Sequence, residues 1–153
     1  MPYYQGKHMS SMEYDSLYQA GLIKGVPTKV EKSKQAHMRA RGTAVVFRNG
    51  KVLLVRDKGK HKFSFPGGGV NHNEPSLAAA IRELYEELGM SARKAERLFR
   101  CDFKGSLSKH KVSLLETEDE PHLRGKELDK FIWWDMKADI PRYSHVDYIL
   151  KRL

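Results

Sequence analysis

A chain of 153 residues has the length of one domain and can bury about two thirds of the surface its unfolded form exposes, so no disulfide or metal staple is required for folding. With 40% hydrophobic and 31% charged residues it has a globular balance, which excludes disorder of the whole chain. The formal net charge of +9 points to a polyanionic partner without naming one, and it is uneven: residues 22–63 hold twelve Lys or Arg against Glu31 and Asp57, whereas residues 64–153 hold fifteen of each sign.

No apolar stretch approaches the roughly 18 residues needed to span a bilayer, and the start Met1-Pro2-Tyr3-Tyr4-Gln5 lacks the apolar run of a signal peptide. A soluble, cytoplasmic protein with no membrane partner is expected. The single cysteine, Cys101, cannot form an internal disulfide or a Cys-rich zinc site and reads as a buried strand residue.

Residues 1–37 are Lys-rich and weakly periodic and read as an extension on a core that begins at residue 38. One short helix is predicted there over Ser11 to Ala20, because Ser10 and Glu13 have capping-box spacing and Gly21 offers a stop. Tyr14 and Tyr18, at i and i+4, would pack this extension onto the core. From Arg39 the pattern turns apolar: Ala44 to Phe47, then Arg48-Asn49-Gly50, then Val52 to Val55. Asn-Gly between two such runs predicts a hairpin. Phe63-Ser64-Phe65 predicts a short strand, and Gly67-Gly68-Gly69 an irregular loop. A helix should follow, with Pro75 in its first turn, Gly89 at its exit and Leu77, Ile81, Leu84 and Leu88 as a core-facing stripe. Strands are then predicted over Leu98 to Phe103, Lys111 to Glu116 and Phe131 to Trp134, with one tryptophan of Trp133-Trp134 buried and one exposed. A terminal helix over His145 to Leu153 would turn Val146, Ile149 and Leu150 inward. His110, His122 and His145 lack metal-ligand spacing and read as polar surface or capping residues.

The helix after the glycines carries Glu83, Glu86 and Glu87, which at 100° per residue share one face, away from the leucine stripe. Acids at i, i+3 and i+4 repel by a few tenths of a kcal/mol per pair, and Arg82 is the one base in that stretch. Hard carboxylate oxygens gathered on a rigid element suit Mg²⁺ or Mn²⁺, which keep waters for contact with a substrate phosphate. Glycines just before the helix let backbone groups approach a ligand closely.

Here the sequence resembles the Nudix hydrolases. Their signature, G-x5-E-x7-R-E-U-x-E-E-x-G-U with U bulky and apolar, is matched at all nine specified positions by Gly68, Glu74, Arg82, Glu83, Leu84, Glu86, Glu87, Gly89 and Met90. The lead-in Phe65-Pro66-Gly67-Gly68 and the strand order from about residue 38 onward extend the resemblance, which does not cover residues 1–37. It implies an α/β (α+β) fold, an α/β/α sandwich with a mixed sheet and a loop-helix box. It also implies hydrolysis of a phosphoanhydride in a nucleoside diphosphate linked to another group, with Mg²⁺ or Mn²⁺ as cofactor. Carried over residue by residue, Glu86 and Glu87 would ligate metal with the carbonyl of Gly67, and Glu83 would ligate metal or act as general base, Glu83 and Glu87 being the catalytic pair. Arg82 would orient a glutamate, while Glu74 would hold the loop, with Gly68 and Gly89 serving the motif's backbone. Glu127, before the last core strand, stands where the family often supplies another metal-binding acid, and Arg56 where some members place a phosphate-binding arginine; a solvated loop acid and a strand-end charge are the alternatives. A homodimer is compatible with the resemblance.

Residues outside the box bear on substrate. No proline occurs between Pro75 and Pro121 and no tyrosine between Tyr85 and Tyr143, which weakens the likeness to ADP-ribose pyrophosphatases and to dinucleoside polyphosphate hydrolases. The compact core and the Phe-Pro-Gly-Gly lead-in most resemble nucleoside triphosphate pyrophosphohydrolases. Gly69 stands where some of those enzymes carry a lysine, so base-specific sanitising activity is not supported. The alternatives are action on the 5′ end of RNA, motivated by the basic stretch from Lys24 to Lys62, and a regulatory module that binds a nucleotide without cleaving it.

Overall fold

The structure is a computed structural model that describes residues 39–153; the helix expected over Ser11 to Ala20 and the Tyr14–Tyr18 pair lie outside the described residues. Eight strands and two α-helices follow in order: β1 (Arg39–Val45), β2 (Phe47–Arg48), β3 (Lys51–Asp57), β4 (Gly67–Gly69), α1 (Ser76–Leu88), β5 (Lys94–Arg97), β6 (Phe103–Lys104), β7 (Ser108–Glu116), β8 (Leu128–Trp134) and α2 (Ser144–Lys151). In the first sheet β1 is central, antiparallel to β4 and parallel to β7, and β7 also pairs with β5 and β6. The second sheet is antiparallel, in the order β2-β3-β8.

The apolar run Ala44 to Phe47 does not form one strand. Val46 breaks it, so that β1 ends in the first sheet and β2 begins the second. Asn49 and Gly50 turn β2 into β3 with φ of 53° and 75°, the two positive values that a type I′ hairpin requires.

Strand alternation then sorts the core. Val45, Val52, Leu54, Phe65 and Val112 pack with Val146 and Ile149 of α2. Ala44, Val46, Leu53, Val55 and Leu115 pack with Ala80, Leu84 and Leu88 of α1. The helices therefore flank the sheets on opposite sides in an α/β/α arrangement, each burying one apolar stripe. Contact between α1 and β1 is close at Gly42, where a Cβ would lie 2.7 Å from the Ala80 nitrogen and 2.9 Å from the Ser76 carbonyl.

Several expectations are corrected. Gly67 to Gly69 is a strand, paired through Thr43–Gly67, Gly42–Gly68 and Arg41–Gly69. Lacking side chains is what lets it fit, since a Cβ on Gly67 would sit 2.1 Å from the Gly42 carbonyl oxygen. Phe63 and Ser64 make only isolated bridges. The segment from Leu98 is not a strand, because β5 ends at Arg97 and a 3₁₀ turn spans Phe99–Cys101. Cys101 is buried, but in that turn. The stripe of α1 is centred on Ala80, Leu84 and Leu88, with Leu77 and Ile81 only partly buried at its border. Trp134 is buried and donates its indole N–H to the Ala138 carbonyl at 2.8 Å, while Trp133 is half-buried.

Candidate active site

The loop between β4 and α1 is tied by its own acid. Glu74 Oε1 accepts the Asn71 backbone N–H at 2.9 Å, and the Glu74 N–H returns to the Asn71 carbonyl at 3.0 Å. Pro75 caps α1 in an extended conformation, and Gly89 ends it with φ of 69°, donating its N–H to the Tyr85 carbonyl. The last turn thus carries Glu86 and Glu87 and no basic residue, although the negative end of the helix dipole disfavours acids there.

Arg82 is the hub. Its Nε and Nη2 form a fork on the two Glu74 oxygens, at 2.8 and 3.0 Å, and Nη2 also donates to the Gly69 carbonyl at 2.9 Å. Its Nη1 donates to Glu83 and Glu86, both at 3.0 Å. One guanidinium therefore binds β4, the loop and two acids of the helix, a planar multidentate task that lysine cannot perform. Burial would raise the Glu74 pKa, but the Arg82 and Asn71 hydrogen bonds outweigh it and hold the carboxyl below its ordinary value. Arg82 is expected to position the glutamates: Arg82→Lys should weaken metal affinity or activity roughly 10- to 100-fold, read by titrating activity with Mg²⁺.

Glu83 and Glu87 are in the opposite condition. Glu87 is 8% exposed and accepts the Gly67 N–H at 3.3 Å. Burial, then the charge of Glu83, push its pKa up to about 8, although Arg41 and the Gly67 hydrogen bond oppose them. Burial also raises Glu83, against Arg82, with Glu86 and Glu127 adding repulsion. A Cβ on Gly68 would lie 2.3 Å from the Glu83 carboxylate, so a side chain there would displace that carboxylate. Among the described residues no three acids, histidines or cysteines converge in metal-binding geometry, and Glu83 and Glu86 are both engaged by Arg82. The donor chemistry nevertheless fits a hard divalent cation: buried carboxylates that remain poorly compensated gain most from added positive charge.

The other expected residues divide. Glu127 is exposed but brought to the end of β3, where the Lys58 N–H donates to its carbonyl at 2.8 Å, and its charge is felt by Glu83. Arg56 pairs with Asp129 at 3.0 Å and lies over the Phe63 ring. Sequence reasoning missed Arg41 and Asp57. Both charges act on Glu87, and both line a cavity of about 380 Å³ with Lys60, His110, Tyr143 and His145. His110 and His145 are buried, not surface residues, whereas His122 is exposed. Arg41 has the strand parity of the buried Thr43 and Val45, and for it a charge at core-facing parity was the available signal; Asp57 follows a register shift after Arg56, which simple alternation does not foresee.

The NUDIX domain family model matches residues 38–145. The chain belongs to the Nudix family. Among its relatives, the RNA pyrophosphohydrolase of Escherichia fergusonii is 33% identical over 98 residues, covering 64% of this chain and 55% of that protein. The chain thus spans about half the length of the curated relatives it matches. Among solved structures, the MutT NUDIX hydrolase of Burkholderia pseudomallei superposes with a TM-score of 0.66 at 25% identity, covering 75% of this chain and 97% of that one. A Nudix hydrolase family member from Chromobacterium violaceum gives 0.65 at 25% identity, covering 75% of each chain. The Nudix box is the segment from Gly68 to Met90, and in the fold it is β4, the Glu74 loop and α1.

Proposed function

We propose that residues 38–153 form a hydrolase domain that cleaves a phosphoanhydride of a nucleoside 5′-triphosphate, releasing the monophosphate and pyrophosphate, with residues 1–37 as a basic extension. The observation that carries this reading is the pair Glu83 and Glu87, held poorly compensated beside a cavity lined by Arg41 and Lys60. Glu83, Glu86, Glu87 and the Gly67 carbonyl would hold Mg²⁺ or Mn²⁺, with Glu127 as a further ligand. When bound, the cation neutralises the diphosphate and lowers the pKa of a coordinated water. Glu83 takes the proton of the attacking water, the new P–O bond forms, and the bridging P–O bond breaks with its electron pair leaving on pyrophosphate. Arg56 would meet phosphate only by giving up its bond to Asp129.

Action on the triphosphorylated 5′ end of RNA is the second reading, favoured by the activity named for the curated relatives and by the basic excess of residues 22–63. A panel of nucleoside triphosphates, dinucleoside polyphosphates, sugar nucleotides and triphosphorylated RNA with Mg²⁺ or Mn²⁺ separates these readings. Pyrophosphate release from free triphosphates is expected, and activity on RNA alone, falling steeply with salt, would transfer the assignment to RNA. Inactivity across the panel would overturn both and leave a nucleotide-binding regulatory module.

A further inference from the structure

In the first sheet β5 is the last strand: β7 pairs with it on one side, and among the described residues no strand pairs with it on the other. The register fixes which backbone groups face outward. Glu96 stands opposite Leu114 and Lys94 opposite Glu116 in an antiparallel ladder, and just beyond it the Leu98 N–H donates to the Val112 carbonyl at 2.8 Å. Ladder bonds fall on alternate residues of such a pair. Lys94 and Glu96 therefore bond inward, while the N–H and C=O groups of Ala95 and Arg97 point away from the sheet. An open edge of this kind takes up a further strand unless its side chains forbid it.

Here the side chains select a partner. Lys94 and Glu96 are exposed and share the face of Leu114 and Glu116. With Phe47, 40% exposed, and the half-buried Leu114 they line a cavity of about 630 Å³ beside the edge. The Lys94 Nζ lies 3.9 Å from a Glu116 oxygen, with both side chains mostly in solvent, a pair that contributes little as it stands. The flanking arginines are already engaged: Arg93 pairs with Glu118, and Arg97 donates twice to Asp102, at 3.0 and 2.9 Å. The charges left to meet a neighbouring strand are those of Lys94 and Glu96, one of each sign, two residues apart.

We propose that the outer edge of β5 binds a second copy of this chain, antiparallel about Ala95, so that the two first sheets become one. In that register Lys94 stands opposite the partner's Glu96 and Glu96 opposite the partner's Lys94, two pairs of opposite charge. The outward groups of Ala95 bond those of the partner's Ala95, as a two-fold interface requires. Sliding one strand by two residues sets Lys94 against the partner's Lys94, or Glu96 against the partner's Glu96, and parallel in-register pairing does both. Like charges directly opposite are destabilising, so the pattern admits one register. Within residues 1–38 the one stretch with the same alternation is Lys29-Val30-Glu31, and its own chain is too short to lay it here. The chain enters β1 at Arg39, opposite Ser108, whereas Lys94 lies opposite Glu116. Glu31 would have to cover roughly 30 Å, against about 26–29 Å for eight fully extended residues.

Sedimentation equilibrium of the full chain over a concentration series tests this. The parent should pass from one chain's mass to two. Lys94→Glu alone and Glu96→Lys alone, both at exposed positions, set like charges opposite in a self-pair and should raise the dimer dissociation constant roughly 10-fold or more. An equimolar mixture of these two variants should dimerise as the parent does, because one carries two acids and the other two bases at the facing positions, which restores both pairs. Ala95→Pro removes an outward N–H without touching the ladder to β7 and should abolish the dimer while circular dichroism stays that of the parent. A parent that is monomeric at every concentration, a single charge variant that dimerises as the parent does, or a mixture that stays monomeric would overturn the proposal. Slow hydrogen exchange at the Ala95 and Arg97 amides in dilute, monomeric parent would also overturn it, and would assign the edge to the chain's own residues 1–38.

Discussion

Glu83→Gln is expected to fold as the parent does and to lose turnover by roughly 10²- to 10⁴-fold, the range for a displaced general base. The carboxyl lies under β4, against Gly68, and one oxygen accepts from Arg82. Glutamine keeps the size and an acceptor oxygen, so the loop and α1 should stay in place while the basic oxygen is lost. Glu87→Gln should lose at least as much, because Glu87 sits deeper, beside the Gly67 N–H, where a cation's charge would be screened least. The more exposed Glu86 should tolerate the same exchange better. Steady-state kinetics on one cleaved substrate, with circular dichroism to certify the fold, ranks the three. Parent-like turnover by both folded Glu83→Gln and Glu87→Gln would remove both residues from the chemistry.

The motif spacing in Gly68 to Met90 identified the family from sequence, because fixed spacing along a helix maps directly onto one face. What it did not reveal was how the acids are restrained. Placing Arg82 at the centre of Glu74, Glu83, Glu86 and the Gly69 carbonyl depends on β4 lying along β1, a long-range pairing that a run of glycines conceals, since local propensity for strand is absent there. The fold shows the same division. The Asn49-Gly50 hairpin and the α1 boundaries are local events, legible from turn chemistry and caps. The break at Val46, which sends β1 and β2 into different sheets, has no local marker and is decided by which partner strand each half meets. His110 and His145 were misread for the same reason: one is on β7, the other on α2, and only the packed fold stacks them.

The buried Glu87 also makes a thermodynamic prediction. Its folded-state pKa of about 8 lies above the ordinary value of 4.5, so between those limits the folded protein holds a proton that the unfolded chain releases. Stability from this group is therefore complete below about pH 4.5 and is lost as pH rises through about 8, by an amount on the order of a few kcal/mol. In chelator, the urea midpoint of the metal-free parent relative to that of Glu87→Gln, which cannot ionise, should fall between pH 5 and pH 8. His110 and His145 act in the other direction: their lowered values penalise the folded state as pH falls below about 6.5. Both proteins carry them, so the difference between parent and variant isolates Glu87. Equal pH profiles would mean that the carboxyl is not desolvated in the folded state. Saturating Mg²⁺ should abolish the parent's loss at pH 8, because the site then favours the carboxylate, and binding near pH 6.5 should expel about one proton. Calorimetry in two buffers of different ionisation enthalpy measures that proton, and its absence from Glu87→Gln would assign it to this residue.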